Sequence, residues 1–264
     1  MREECELLSA RLEQANRVAA LGQVAATMAH EFNNVLMSIQ PYTDLLQRPG
    51  ARDPEVARKC AESIRKSIRR GQRTTEEILR YTRPSEPVLA PANVGELLTQ
   101  FAAELTAANF PGITVELDAP SDDVFVVGDT RQIEQVLWNA SINARDAMPE
   151  GGRIIVSGGE CSSCSQICGL LSPDQLGSMA CLKITDTGGG MDEATLAGAF
   201  QPLFTTKRNG TGLGLAVAQQ IAARHGGHVF ARSRVGEGTT IYLLLKKWCE
   251  RGESNPQDLM VTGF

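Results

Sequence analysis

Three segments in the second half of the chain combine residue types and spacings suited to chemistry. Asp186-Thr187-Gly188-Gly189-Gly190-Met191 follows directly on an apolar run. A carboxylate at a strand end accepts a hydrogen bond from an exocyclic amine, and neighbouring glycines let the backbone approach a flat ligand closely. The same residues also suit an Asp–Gly turn. Asn139 and Asn143 stand four apart in a helical stretch, so their amides share one face. Neutral amide oxygens suit Mg2+, which keeps several waters and binds mainly through substrate phosphates. Taken alone, the pair equally suits exposed or capping positions. Gly210-Thr211-Gly212-Leu213-Gly214-Leu215 opens a helix. Glycines ahead of a helix N-terminus expose backbone N–H groups, and the helix dipole favours phosphate there. No Gly-Lys-Ser/Thr follows, so the spacing is not that of a P-loop.

The chain holds three histidines. His225 and His228 flank Gly226-Gly227 between a helix and a strand, where capping or packing is the expected role. His30 lies two residues from Met28 and from Phe32, about 200° around a helix, so it faces away from their apolar seam. Imidazole is readily kept neutral and nucleophilic near pH 7, and the adjacent Glu31 strengthens it. Without further context, such a residue reads as an exposed histidine. Cys161, Cys164 and Cys168 cluster between two strands, with Cys181 opening the next. Thiolates in that number can hold zinc or a metal cluster, or simply stay reduced in a variable loop.

These residues need elements to position them. Up to about Thr82 the pattern is helical. Val18, Leu21, Ala25, Met28, Phe32, Val35, Ile39, Tyr42 and Leu46 recur at spacings of three and four, giving one long apolar seam. Leu8, Leu12, Ala15 and Ala19 continue it on a slightly rotated face, like the end of an input coiled coil. Arg48-Pro49-Gly50 and Asp53-Pro54 predict a stop near Gln47, and Pro41 predicts a kink. A second helix is expected from about Glu55 to Tyr81, with Ala57, Cys60, Ile64, Ser67, Gly71 and Ile78 on one face. Such a hairpin cannot cover both of its apolar faces, so a homodimeric four-helix bundle is expected. Residues 83–91 hold three prolines and read as a linker. Beyond it, strands are expected at Ile113–Leu117, Val124–Val127, Arg153–Ser157, Cys181–Thr185, His228–Arg232 and Thr240–Leu245. Helices alternate with them at Val94–Ala108, Thr130–Ala147, Asp192–Ala199 and Leu213–Arg224, an α/β layer. The domain boundaries are therefore 1–82, a linker at 83–91, 92–248, and a polar tail at 249–264.

Bulk composition excludes several classes. A length of 264 residues with 42% hydrophobic and 22% charged residues is that of a globular protein with one or two cores. The net charge of −5 argues against a nucleic-acid binder. The basic stretch Arg58–Arg73 reads as a solvated helix face. No run approaches the ~18 apolar residues of a membrane span, and the N-terminus is not a signal peptide. A cytoplasmic location is expected, with no membrane contact from this segment, although a longer parent can be membrane-anchored.

The order of the three segments is specific: helix asparagines, then Asp-x-Gly-x-Gly, then Phe200-Gln201-Pro202-Leu203-Phe204-Thr205-Thr206-Lys207, then Gly-x-Gly-x-Gly. From about Asn93 to Leu245 the chain resembles the ATP-binding (Bergerat) domain of the GHKL group, shared by histidine kinases, type II topoisomerases, Hsp90-type chaperones and MutL-type repair ATPases. The resemblance implies that Asn143 coordinates Mg2+, that Asn139 lies near the phosphates, and that Asp186 recognises the adenine amino group. It implies that Gly188 and Gly190 shape that pocket and that Gly210, Gly212 and Gly214 anchor a short movable lid. Phe200–Lys207 looks like the kinase phenylalanine box, in which Lys207 either reaches the β/γ-phosphates as a point charge or is a surface lysine.

Upstream, Ala29-His30-Glu31-Phe32-Asn33-Asn34 resembles the phosphoacceptor box of sensor histidine kinases of two-component systems. The implied roles are His30 as nucleophile, Glu31 as orienting base, and Asn34, one turn on, as the residue that places a water in phosphatase-competent members. Val35 stands where many members have proline; the Phe-Asn-Asn version resembles a bacterial subgroup, several of which carry fused receiver domains. The implied architecture is α+β: a helical hairpin forming a dimeric four-helix bundle, then an α/β sandwich binding ATP and Mg2+. The implied activity is autophosphorylation of His30 and transfer to an Asp of a response regulator. A GHKL-type ATPase clamp is one alternative, and it would not explain a His-Glu-x-x-Asn box on an upstream hairpin. A dimeric scaffold that binds nucleotide without transfer is the other, and the intact Asn143, Asp186 and three-glycine set argues against it.

Overall fold

The computed structural model describes residues 32–48, 53–82, 85–118, 123–161, 177–207 and 210–248. The chain divides into two compact units. One ends at Pro84 and also takes in Lys207–Leu213; the other comprises Ser85–Thr206 and the chain from Gly214 onward.

The first unit is a helical hairpin. Helix α1 is described over 32–47 and continues through Pro41; α2 spans Pro54–Thr82. Asp53 starts α2: its Oδ1 accepts from the Glu55 N–H at 2.9 Å, with Pro54 at the first position, where no amide donor is needed. The two helices approach closely at Gly71, where an added Cβ would lie 3.4 Å from the Val35 methyls. Cys60, Thr74 and Ile78 are buried on the inner face of α2. Several large apolar side chains are not: Phe32, Leu36 and Met37 are 51%, 61% and 70% exposed, and Leu45, Leu46, Ile68 and Leu79 are also exposed.

The second unit is a layer of helices on a mixed sheet. Its strands are β1 (Ala90–Asn93), β2 (Ile113–Asp118), β3 (Phe125–Gly128), β4 (Gly152–Glu160), β5 (Met179–Asp186), β6 (His228–Arg234) and β7 (Gly238–Lys246). The five-stranded sheet has the order β2-β4-β5-β7-β6; β2 and β4 run parallel and the other neighbours antiparallel. β1 and β3 form a separate antiparallel pair. β1 includes Ala90 and Pro91, the last residues of the proline-rich stretch.

The helices of this unit are α3 (Val94–Ala107), α4 (Thr130–Asp146), the short α5 (Glu193–Gly198) and α6 (Gly214–Arg224). α3 begins at Asn93, whose side chain accepts from the Glu96 N–H, and buries Val94, Leu97, Leu98, Phe101, Ala102 and Leu105, one stripe of a 3.6-residue period. α4 is capped by Asp129 and packs on both α6 and β5. Phe101 meets Trp138 edge to face, centroids 5.4 Å apart.

Register aligns the core in rows. Val156 pairs with Ile184 and Ile184 with Ile241; Leu182 pairs with Leu243, and Leu243 with Val229. All of these side chains are buried. An added Cβ on Gly158, opposite Leu182, would strike Leu98 and Val94 of α3, so this is the face the helices cover. Asp186 follows Leu182 and Ile184 at the strand's period of two, which aims its carboxylate at that covered face where β5 ends. The opposite face carries a smaller cluster of Cys161, Met179, Cys181 and Leu244, with Phe230 and Tyr242 against it. Cys161 and Cys181 are both buried. Cys164 and Cys168 lie outside the described residues, and no group of three or more metal-binding side chains occurs among those described.

Candidate nucleotide-binding site

The site is built where β5 ends. Asp186 is 6% exposed, and its Oδ1 accepts two backbone hydrogen bonds, from Gly188 N at 2.8 Å and Thr239 N at 3.2 Å. A buried carboxylate needs such donors, because charge-assisted bonds offset its lost hydration. The glycines that follow are fixed by close packing. A Cβ on Gly188 would lie 2.8 Å from the Ala147 carbonyl oxygen and 2.9 Å from Asp186 Oδ1. Gly190 has φ +66°, and a Cβ there would overlap the Arg234 carbonyl at 1.9 Å. Gly189 N donates to the Ala147 carbonyl, Gly236 N to the Gly189 carbonyl, and Met191 N to Ser233 Oγ. The segment is thereby held between the end of α4 and the β6–β7 hairpin. Gly238 at the base of that hairpin is equally constrained: a Cβ there would lie 2.0 Å from the Asp186 carbonyl.

Thr239, Ser233 and Gly238 thus support the Asp186 segment, a role the sequence reading did not give them. The glycine pair in Val235-Gly236-Glu237-Gly238 was a readable hairpin signal, but nothing in it pointed to a segment fifty residues earlier.

Asn139 and Asn143 both lie on α4 and are half-buried. Asn139 Nδ2 donates to the Gly214 carbonyl at 2.9 Å, tying α4 to the first turn of α6. The nearest atoms to a Cβ on Gly214 belong to this asparagine, 3.8 Å away. Asp186, Gly188, Gly190, Asn139, Asn143 and Gly214 therefore all belong to the α/β unit. Lys207, Gly210 and Gly212 fall in the other compact unit. There Gly210 N donates to the Lys207 carbonyl, Gly212 has φ +68°, and the Thr211 hydroxyl donates to the Glu77 carboxylate of α2. Asn34 lies in α1, half-buried. His30 and Glu31 lie outside the described residues.

Of the other histidines, His225 is buried and packs as the sequence reading expected. Its Nδ1–H donates to the Ile221 carbonyl at 2.8 Å and its Nε2 accepts from Asp129 N at 3.0 Å. Burial holds its pKa below the ordinary histidine value, against smaller opposite effects of the Ile221 carbonyl and Asp129. His228 is exposed and stacks on Phe230.

The donor set fits a purine nucleotide carrying phosphates. A buried acceptor stands at a strand end, glycine backbone lies beside it, and a helix N-terminus and an amide oxygen stand on neighbouring helices. Two family models match the chain. The His Kinase A (phospho-acceptor) domain covers residues 20–87, and the histidine kinase-, DNA gyrase B- and HSP90-like ATPase covers residues 128–248. The chain belongs to the sensor histidine kinases. Its α/β unit is an ATP-binding domain of that ATPase type.

Relatives include the sensor kinase CckA of Brucella abortus, 30% identical over 94% of this chain and 26% of its own length. The C4-dicarboxylate transport sensor protein DctB of Rhizobium meliloti is 32% identical, over 93% of this chain and 38% of its own. The chain spans between about a quarter and a half of the curated relatives it matches. Histidine kinase ThkA, solved in complex with the response regulator protein TrrA, shares the fold at a TM-score of 0.70 and 23% identity, over 90% of this chain and 65% of that one. No helix among the described residues is long and apolar enough to cross a membrane.

Proposed function

We propose that the chain is the catalytic core of a sensor kinase that transfers the γ-phosphoryl group of ATP to its own His30. The neutral imidazole attacks the γ-phosphorus; a nitrogen–phosphorus bond forms, the bond to the β,γ-bridging oxygen breaks, and ADP leaves. Glu31, next in sequence, orients the ring and takes its proton. Asp186 accepts from the adenine amino group, and Gly188 and Gly190 keep that wall of the pocket thin. The N–H groups at the start of α6 suit phosphate; Gly210, Gly212 and Lys207 take the lid and point-charge roles that the family resemblance implies. Asn143 would hold Mg2+, which would supply charge neutralisation during transfer. The join between α2 and the ATP-binding unit lets one His30 meet ATP and then a regulator.

The observation that carries this reading is the buried Asp186 carboxylate with one oxygen saturated by backbone donors, on a chain that also bears a phospho-acceptor domain around His30. The exposed apolar residues of the hairpin support homodimerisation through a four-helix bundle. The partner that takes the phosphoryl group is an Asp on a response regulator receiver domain. Asn34, four residues after His30, fits a water-placing role in the reverse, phosphatase reaction. A cytoplasmic setting fits these partners.

Incubation with γ-labelled ATP and Mg2+ tests the reading. Wild type is expected to take acid-labile, base-stable label, and His30→Gln to take none. A clamp ATPase would release phosphate without labelling itself, and a scaffold would do neither.

A further inference from the structure

Residues 85–89 have no regular secondary structure, yet they are fastened to the ATP-binding unit at two points. The Ser85 carbonyl accepts from Gln132 Nε2 at 3.2 Å and from Arg224 at 3.1 Å. Three residues on, Val88 N donates to Asp129 Oδ2 at 3.1 Å. The other oxygen of Asp129 caps α4, accepting from Arg131 N at 3.1 Å and Gln132 N at 3.4 Å. Asp129's own N–H donates to His225 Nε2, and the opposite side of that ring is anchored to Ile221 in the last turns of α6. Both Asp129 and His225 are buried. Even Gly128 conforms to this node, because a Cβ there would lie 2.6 Å from Ile133 Cδ1 and 3.2 Å from the His225 ring.

The Asp129 carboxylate therefore joins the entry of the ATP-binding unit to the start of α4, and the Asp129 backbone N–H, through His225, adds the end of α6. α4 carries Asn139 and Asn143, and α6 opens at Gly214. The chemistry requires Asp. The backbone N–H groups of Val88, Arg131 and Gln132 donate to its two oxygens, and the Arg131 guanidinium stands 3.9 Å from one of them, so both oxygens must accept, and an asparagine offers only one acceptor.

We propose that Asp129 is a positioning residue for phosphoryl transfer, fixing the point at which the chain leaves the ATP-binding unit. The proposal rests on the kinase reading above. Between the last residue of α2, Thr82, and the fastened Ser85 stand only residues 83 and 84. Releasing 85–89 adds five residues to that tether. A longer, looser tether lowers the effective concentration of the ATP-binding unit at the phosphoacceptor and widens its range of orientations.

The test uses the full chain and two variants that break the same hydrogen bond from opposite ends. Asp129→Asn keeps an oxygen for the α4 cap but turns an N–H toward Val88 N. Val88→Pro removes the donor and leaves α4 untouched; the position is 68% exposed, so the ring has room. Each variant is expected to lower the maximal autophosphorylation rate about fivefold. Affinity for a fluorescent ATP analogue and the KM for ATP should stay within about twofold of wild type. The double variant should be no slower than the slower single one, because both remove one contact. Unchanged rates in both single variants overturn the proposal. So do rate losses matched by equal losses of nucleotide affinity, the outcome of a purely structural cap. A wild type that takes no label overturns the kinase reading and this proposal with it, whereas a labelled wild type with unaffected variants overturns the proposal alone.

Discussion

Asp186 holds its place through groups the sequence could not show. That a carboxylate after an apolar run stands at a strand end was readable, and so was its glycine neighbourhood. Its saturation by Gly188 N and Thr239 N was not, because Thr239 reaches it only through the pairing of β5 with β7. Asp186→Asn keeps an oxygen for those two donors but presents N–H toward an adenine amino group. ATP affinity, read by titration with a fluorescent nucleotide, is expected to fall tenfold or more, with little change in melting temperature. His225 makes a different prediction. Burial lowers its folded pKa, so the unfolded chain binds the additional proton as pH falls through about 6.5. Its contribution to stability is therefore full above that pH, declines below it, and levels off once pH passes the folded value. Urea midpoints at pH 7.5 and 5.5 should differ less in His225→Gln than in wild type; an equal difference contradicts the assignment. Asn139 marks the limit of residue-level reading. Its place on α4 was clear from spacing, but its bond to the Gly214 carbonyl joins residues 75 apart and left no local trace.

At the scale of elements, the period of hydrophobicity carried most of the information. All six expected strands and all four helices of the α/β region form within a few residues of their expected bounds. β1 escaped notice for a physical reason. Ala90-Pro91-Ala92-Asn93 has no β-branched or aromatic residue, and its proline fits only because β1 pairs on one side, with β3. The glycine segment after β5 shows why a motif is also a packing requirement. Gly190 combines a positive φ with a carbonyl where its Cβ would stand, so Gly190→Ala should lower stability by about 2–4 kcal/mol, visible as a lower urea midpoint. Gly189 has no atom within 4 Å of an added Cβ, so Gly189→Ala should lose far less. Equal losses at the two positions would contradict the packing account.

At the scale of the molecule, the described part of the helical hairpin leaves several large apolar side chains exposed. Leu36 and Met37 are among the most exposed of its residues. Leu36→Glu is expected to shift the protein from dimer toward monomer in sedimentation velocity at micromolar concentration, while the melting of the ATP-binding unit stays the same. The proposed dimer was suggested by an apolar seam on a two-helix hairpin, whereas the fastening of 85–89 left no trace in the sequence, since it depends on side chains more than forty residues away. The phosphoacceptor assignment joins this helical half to the ATP site, and it rests on His30 alone. The most direct test is peptide mapping by mass spectrometry, at neutral pH, of the full chain after incubation with ATP and Mg2+. The account expects a single phosphoryl group on the imidazole of His30, absent in Asp186→Asn at the same nucleotide concentration. Phosphate on another residue, or ATP hydrolysis with His30 unmodified, would contradict it.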